Sequence, residues 1–212
     1  LKPLKEAKIS KSITERDYQQ RAIRCITESF ELKKRKALLV MATGTGKTRT
    51  VISLCDLLIR CNWVKRVLFL ADRTALVNQA EKAFKAHLPD CSPVNLVTNR
   101  DGEGRVFLST YPTMSNLIDS EDKSGQRRFG VGHFDLVVID EAHRSIYQKY
   151  AAIFDYFDSL LVGLTATPKE EIDRNTYGLF DLDIGMPTDE YGFTQAVEDK
   201  FLNPFKALSV PL

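Results

Sequence analysis

Ala37-Leu38-Leu39-Val40-Met41-Ala42-Thr43-Gly44-Thr45-Gly46-Lys47-Thr48 is a short apolar run that breaks into glycines and ends in Lys-Thr. A buried strand that turns through Gly44 and Gly46 into a helix leaves several backbone N–H groups converging on one concavity, with the positive end of the helix dipole behind them. A phosphate chain fits such a concavity. Lys47 adds a point charge near the outermost phosphates, and the Thr48 hydroxyl takes one ligand position on a Mg²⁺ ion. The usual pattern opens with Gly where this chain has Met41. That opening residue only helps the turn, whereas Gly44, Gly46, Lys47 and Thr48 carry the contacts. A Gly-rich turn before an ordinary helix is the plain alternative; the apolar strand upstream and the amphipathic helix downstream weigh against it.

The 212 residues are 43% hydrophobic, enough to bury a core as one large domain or as one domain plus appendages. The net charge of +2 excludes little. Its distribution is uneven, with Lys and Arg abundant before residue 40 and Asp and Glu dominant over 170–200. The run Lys33-Lys34-Arg35-Lys36 directly precedes the first core strand and reads as a solvated turn, with nucleic-acid contact by this basic segment as the alternative. Cys25, Cys55, Cys61 and Cys91 form no C-x-x-C pair and sit in apolar periodic segments. They read as small core residues in a reducing compartment, and no zinc site is expected. No apolar run approaches the roughly 20 residues of a membrane helix. The first residues carry no signal-peptide core, so a soluble cytoplasmic protein is expected.

Along the chain, residues 1–12 read as a loose, basic lead-in. Tyr18, Ala22, Ile23, Ile26 and Phe30 follow helical periodicity over 16–32, with Thr14 as the expected cap. The helix after the phosphate turn extends to about Asn62. A strand at Arg66-Val67-Leu68-Phe69-Leu70-Ala71 leads through Asp72-Arg73-Thr74 into a helix ended by Leu88-Pro89. Short strands are expected over 94–97 and 105–110, with a turn at Asp101-Gly102-Glu103-Gly104 between them and a mobile surface loop over 120–133. Strands at 135–139 and 160–164 flank a helix over 145–158. Strands that are apolar throughout and alternate with helices imply a parallel sheet covered on both faces. The loops after 41, 71, 110, 139 and 164 then share the rim at the carboxyl ends of the strands, where such sheets bind ligands. Beyond about 170 the periodicity fades, Pro187 and Pro204 interrupt and acidic residues dominate, so 171–212 reads as a connection toward something outside this chain.

Asp140 and Glu141 follow four consecutive apolar residues, Leu136-Val137-Val138-Ile139. Adjacent carboxylates at a buried strand end repel unless a cation compensates them. A Mg²⁺ shared by Thr48, Asp140 and nucleotide phosphates supplies that cation and leaves Glu141 to orient an attacking water, the arrangement for NTP hydrolysis. An Asp-Glu pair capping the following helix is the structural alternative. His143 lies on the same rim, either as a hydrogen-bonded structural residue or as a coupling residue toward Thr165-Ala166-Thr167.

Met41 to Thr48, Asp140-Glu141-Ala142-His143 and Gly163-Leu164-Thr165-Ala166-Thr167-Pro168, in this order, resemble motifs I, II and III of superfamily 2 helicases and translocases of the DEAD/DEAH-box type. The resemblance implies a RecA-like P-loop NTPase fold, with ATP and Mg²⁺ as cofactors. Arg16-Asp17-Tyr18-Gln19 is similar to the family's upstream adenine-reading element. Carried over, the nucleotide-binding set is Arg16, Gln19, Thr43, Gly44, Thr45, Gly46, Lys47, Thr48 and Arg49, with Gln19 on the adenine edge. Thr48 and Asp140 would hold the metal, Lys47, Asp140 and Glu141 would act in catalysis, and His143, Thr165 and Thr167 would couple the nucleotide to motion. Ala71-Asp72-Arg73-Thr74 and Ser109-Thr110-Tyr111 match motifs Ia and Ib, which makes Arg73, Thr110 and Tyr111 the implied nucleic-acid contacts.

Phe134 to Ser145, Gly163 to Pro168 and Glu171-Ile172-Asp173-Arg174-Asn175-Thr176 resemble the motor region of the restriction subunit of type I restriction enzymes, from about Ile13 onward. The implied partners are double-stranded DNA, the modification and specificity subunits, and a second motor lobe that supplies an arginine finger. Neither that lobe nor the family's nuclease domain fits in 212 residues. The chain is therefore expected to be the first lobe (13–170), binding ATP with little turnover alone. A repair or remodelling DEAH-type helicase lobe and a nucleotide-switched binding module remain alternatives. A GTPase is disfavoured because no Asn-Lys-x-Asp element is present.

Overall fold

The computed structural model describes residues 1–121, 125–142, 144–167, 169–172 and 174–204, with the main chain alone over 144–148. Among the described residues seven strands form one sheet, β1 (Lys36–Met41), β2 (Val67–Ala71), β3 (Pro93–Asn95), β4 (Val106–Thr110), β5 (Leu136–Ile139), β6 (Leu160–Thr165) and β7 (Asp189–Tyr191), in the order β3-β4-β2-β5-β6-β1-β7. Every pairing is parallel. Successive side chains on a strand point to opposite faces, so an all-apolar strand must be covered twice. Leu39 and Met41, Phe69 and Ala71, and Val162 and Leu164 enter one apolar cluster, which α1 (Asp17–Glu31), α2 (Lys47–Arg60) and α3 (Thr74–His87) cover. Leu38 and Val40, Leu68 and Leu70, and Val137 and Ile139 enter the other, under α4 (Tyr111–Asp119) and α5 (Arg144–Tyr156). Among the described residues no helix is long and apolar enough to cross a membrane.

Several boundaries depart from the sequence expectation, each for a local reason. Thr14 does not cap α1; its buried hydroxyl donates to Ser53 Oγ at 3.0 Å, tying the lead into α2, and Arg16 takes the cap position without a side-chain bond. The expected loose lead-in is anchored. Leu4 is fully buried, its N–H donates to Glu31 Oε1 at 2.6 Å, and Arg24 donates to the Leu4 and Ala7 carbonyls at 2.8 and 2.6 Å. Helix α4 has no counterpart in the expectation. The 120–133 loop carries an antiparallel bridge between Glu121 and Arg127 and buries Phe129 beneath the second apolar cluster. Helix α5 is kinked at Tyr150 (φ −124°, ψ 21°).

The segment after 170 is expected to lose periodicity and to connect toward something outside this chain. Its described residues pack onto the sheet through α6 (Arg174–Leu179), β7 and α7 (Phe193–Glu198). Strand β7 pairs with β1. It is held from outside by Arg21, whose Nε lies 3.0 Å from Asp189 Oδ1 and whose Nη2 donates to the Glu190 carbonyl at 2.8 Å. Tyr191 stacks on Tyr18 with ring centroids 3.8 Å apart. Acidic composition hid a three-residue edge strand, because a strand that short has no periodicity to read.

Gly163 in β6 faces Phe180, which follows α6; a Cβ there would lie 2.2 Å from Phe180 Cζ. A Gly163→Ala substitution must displace a buried ring, and overpacking of this kind costs roughly 1–3 kcal/mol. Urea unfolding of the variant is expected to show that loss, and a midpoint equal to that of the parent would contradict this packing.

Candidate functional site

All carboxyl-terminal strand ends lie on one rim, because every strand runs the same way. Strand β1 leaves it through Ala42 and Thr43 into a turn where Gly44 and Gly46 take φ +85° and +88°. Gly46 is the residue before α2 (ψ 37°), a left-handed conformation that L side chains adopt only with strain. A Cβ there would also sit 2.6 Å from Gln19 Nε2. The turn is locked from within. Thr45, fully buried, donates its hydroxyl to the Ala42 carbonyl at 2.6 Å and its N–H to the same oxygen at 3.2 Å. Thr45 therefore holds the loop's shape, while Thr43, Gly44 and Arg49 are exposed and Thr48 is half-buried.

Helix α1 braces this loop. Gln19 Nε2 and Tyr18 Oη both donate to the Thr45 carbonyl, at 3.1 and 2.8 Å, and Arg16 Nη1 donates to Tyr18 Oη at 2.7 Å. A cleft of about 310 Å³ opens between Glu15, Arg16, Gln19, Gly44, Gly46 and Arg49. Arg16 also lies over the Phe201 ring, 4.7 Å from its centroid. Tyr18, Tyr191 and Phe201 were absent from the sequence-level site. Tyr18 sat inside the Arg16-Asp17-Tyr18-Gln19 element but looked like a core position of the helix, and no signal in the sequence points to Tyr191 or Phe201.

Across the rim, the turn after β5 brings Glu141 Oε1 to 3.9 Å from Lys47 Nζ, and the same ammonium donates to the Met41 carbonyl at 3.3 Å. Lys47, Asp140 and Glu141, called from separate stretches of sequence, therefore meet. Glu141 adopts φ +54°, an uncommon left-handed conformation for a non-glycine residue and a form of strain that concentrates at functional sites. Burial, with help from the neighbouring Glu141 charge, pushes the Asp140 carboxyl up to about 6, while Lys47 pulls it down. A carboxylate at such odds with its surroundings is one that a cation would relieve. The donor set fits a hard divalent ion with phosphate ligands, an oxygen-rich corner beside a lysine and backbone N–H groups.

The remaining residues divide. Arg73 precedes α3 on the rim with its side chain 80% exposed, 3.5 Å from Asp72. Thr110 and Tyr111 do not join it on the surface. Thr110 is buried and caps α4, accepting from the Thr113 N–H at 3.4 Å and donating to Thr113 Oγ1 at 2.9 Å. Tyr111 is fully buried and donates its hydroxyl to the Asp140 carbonyl at 2.9 Å. Neither side chain offers itself to a nucleic-acid strand. The sequence held the clue, since Thr110-Tyr111-Pro112 has the form of a helix start, a Thr cap followed by Pro in the first turn. Thr165 is buried and its Oγ1 accepts from the Thr167 N–H at 3.0 Å. His143, expected to couple them to the nucleotide, lies outside the described residues.

Comparison with known proteins places this geometry. The chain is 36% identical over 203 residues to the type I restriction enzyme EcoAI endonuclease subunit of Escherichia coli, covering 93% of this chain and 24% of that one. A fragment structure of a chain assigned as an HsdR subunit of a type I restriction enzyme from Vibrio vulnificus YJ016 superposes with a TM-score of 0.63 at 27% identity, over 86% of this chain and 31% of the other. A nuclease-deletion mutant of the type ISP restriction-modification enzyme LlaGI, solved with a DNA substrate mimic, shares the fold at a TM-score of 0.65 and 22% identity, over 88% and 20%. The chain spans about a quarter or less of the length of the type I restriction subunits it matches. The fold is thus that of a RecA-like lobe, a parallel sheet covered by helices. The family described as ResIII, type III restriction enzyme, res subunit, matches residues 12–170, and with the phosphate loop and the acidic pair of that match facing each other on one rim, the chain belongs to it.

Proposed function

We propose that this chain is the ATP-binding lobe of an ATP-dependent DNA translocase, from the restriction subunit of a type I restriction-modification enzyme. The observation that carries the proposal is the approach of Lys47 to Glu141 across the rim, 3.9 Å between loops separated by most of the sheet's sequence. Lys47, resting on the Met41 carbonyl and Glu141, swings to the outermost phosphates when these arrive, and the backbone N–H groups around Gly44 and Gly46 take the inner ones. Thr48 and Asp140 would hold Mg²⁺, which supplies charge to the phosphates as the terminal group departs. Glu141, released from Lys47, orients the attacking water and accepts its hydrogen bond.

Gln19 supports adenine over guanine. Its Nε2 is committed to the Thr45 carbonyl at 3.1 Å, which leaves Oε1 to accept from the base. Adenine offers an amino group there, whereas guanine offers a carbonyl. Arg16 and Arg49, at the mouth of the same cleft, flank the nucleotide. Double-stranded DNA, the modification and specificity subunits, and a second motor lobe with its arginine finger complete the machine; without that lobe, turnover is low. Of the three residues expected on the DNA, exposed Arg73 is the one whose side chain reaches outward, and contact with a phosphate backbone weakens with salt and ignores base sequence. Thr165 and Thr167 belong to the loop that links the nucleotide to this surface.

In the complete restriction subunit, Glu141→Gln is expected to lower DNA-stimulated ATPase by about 10²- to 10³-fold while ATP affinity stays within a few-fold. Retained hydrolysis would favour a nucleotide-switched binding module instead. Arg73→Ala should raise the DNA concentration needed for half-maximal stimulation, and an unchanged DNA titration at low salt would remove Arg73 from the contact. Asp140 predicts a pH effect on the nucleotide-free protein. Its folded value, about 6 against an ordinary 3.8, means that the folded state holds the proton more tightly. The stability this provides is complete below the unfolded value and lost as pH rises through about 6. Near neutrality the charged carboxylate costs roughly 2–3 kcal/mol. Asp140→Asn should therefore be more stable than the parent near neutral pH in urea unfolding without Mg²⁺, with the advantage shrinking toward about pH 4; an advantage equal at both pH values would refute that origin.

A further inference from the structure

The buried tyrosine at the start of α4 touches the main chain of the acidic pair from beneath. Tyr111 donates its hydroxyl to the Asp140 carbonyl at 2.9 Å. A peptide group is planar, so fixing that carbonyl also fixes the Glu141 N–H on the other side of the same plane, a donor that favours the charged form of the Asp140 carboxyl. Two further anchors hold the same segment. The Asp140 N–H donates to the Leu70 carbonyl at 2.8 Å and the Ala142 N–H to the Leu164 carbonyl at 2.8 Å. Sheet bonds therefore grip the turn before and after, and the tyrosine grips it at the peptide between the carboxylates. That peptide precedes the bond about which Glu141 takes φ +54°.

The Tyr111 ring is itself wedged in place. It stacks on Tyr150, 5.4 Å between centroids at 17°, and meets Phe154 edge-on at 6.4 Å. Tyr150 is the residue at which α5, the helix that continues from the acidic turn, departs from helical geometry. One side chain thus contacts the carboxylate turn through its hydroxyl and the kink of the following helix through its face. The phenol is fully buried, where an O–H without a partner would cost more than its hydrogen bond is worth, so its commitment to the Asp140 oxygen is firm.

We infer that Tyr111 is a positioning residue for the hydrolytic step, its hydroxyl holding the Asp140–Glu141 peptide so that one carboxylate faces the metal position and the other the water position. The inference rests on the ATPase reading above. It also gives Tyr111, expected from sequence as a nucleic-acid contact, a different task. Groups that orient reacting side chains from behind commonly change activity tenfold or more when removed.

The test is Tyr111→Phe in the complete restriction subunit, which deletes the hydroxyl and keeps the ring. DNA-stimulated kcat is expected to fall roughly tenfold. KM for ATP and the DNA concentration for half-maximal stimulation should stay within about twofold, and half-saturating Mg²⁺ should rise. A purely structural role would lower the melting temperature and leave kcat per folded molecule and the Mg²⁺ titration unchanged; that result overturns the inference. Parallel changes in the DNA titration with kcat intact would return Tyr111 to the nucleic-acid surface and overturn it equally. Should Tyr111→Phe fail to accumulate folded, Tyr150→Ala loosens the same ring, and a parental kcat in that variant is the refuting outcome. If the parent itself hydrolyses no ATP with DNA present, the ATPase reading falls and takes this inference with it, a result distinct from an active parent matched by an active Tyr111→Phe.

Discussion

A carboxylate pair at the end of a buried strand faces a single lysine, and the rest of the molecule is arranged so that this meeting occurs. Asp140 is held up near 6 by burial and by Glu141, and Glu141 sits in a strained backbone conformation. Neither condition lowers the free energy of the empty protein. Both persist because the sheet fixes the turn through the Leu70 and Leu164 carbonyls and because Lys47 answers part of the charge. A site of this kind is prepared for a cation and an anion together, since a divalent ion relieves the carboxylates while phosphates occupy the lysine and the loop amides.

Parallel pairing is what makes the preparation possible. With all seven strands running one way, the loops after β1 and β5 emerge on the same rim although almost a hundred residues separate them in sequence, and β6 lies between these strands in the sheet. The sheet is rigid because both of its faces are covered, by α1 to α3 on one side and by α4 and α5 on the other. Gly163 shows how closely, leaving no room for a methyl group under Phe180. Around the phosphate turn a second layer of support comes from α1, whose Tyr18 and Gln19 share the Thr45 carbonyl, and from β7, whose Tyr191 backs Tyr18. Strand β7 therefore belongs to the site's scaffold.

Residues that looked alike in sequence acquired different work. Thr110 and Arg73 both lie at the carboxyl ends of strands on the rim, yet one closes a helix end and the other projects into solvent. Thr45 and Thr43 flank Gly44, yet one is buried as the internal strut of the turn and the other is exposed. Tyr111 is implied by its motif as a nucleic-acid contact and Tyr18 reads as a core position of its helix, yet both end on carbonyl oxygens of the two loops that matter most.

The sequence by itself determined the sheet class, the order of most elements and the three residues that meet at the site. Apolar strands and a Gly-Lys-Thr turn are local signals, carried by neighbouring residues whose side chains can satisfy only one kind of environment. Only the tertiary structure decided the rest. That the lead-in is bound through Leu4, that Asp189–Tyr191 form an edge strand, and that Tyr111 points inward to Asp140 all depend on partners far away in the chain, such as Glu31, Arg21 and Tyr150. A hydroxyl's destination and a short strand's neighbour leave no periodicity to read; they exist only once distant surfaces have come together.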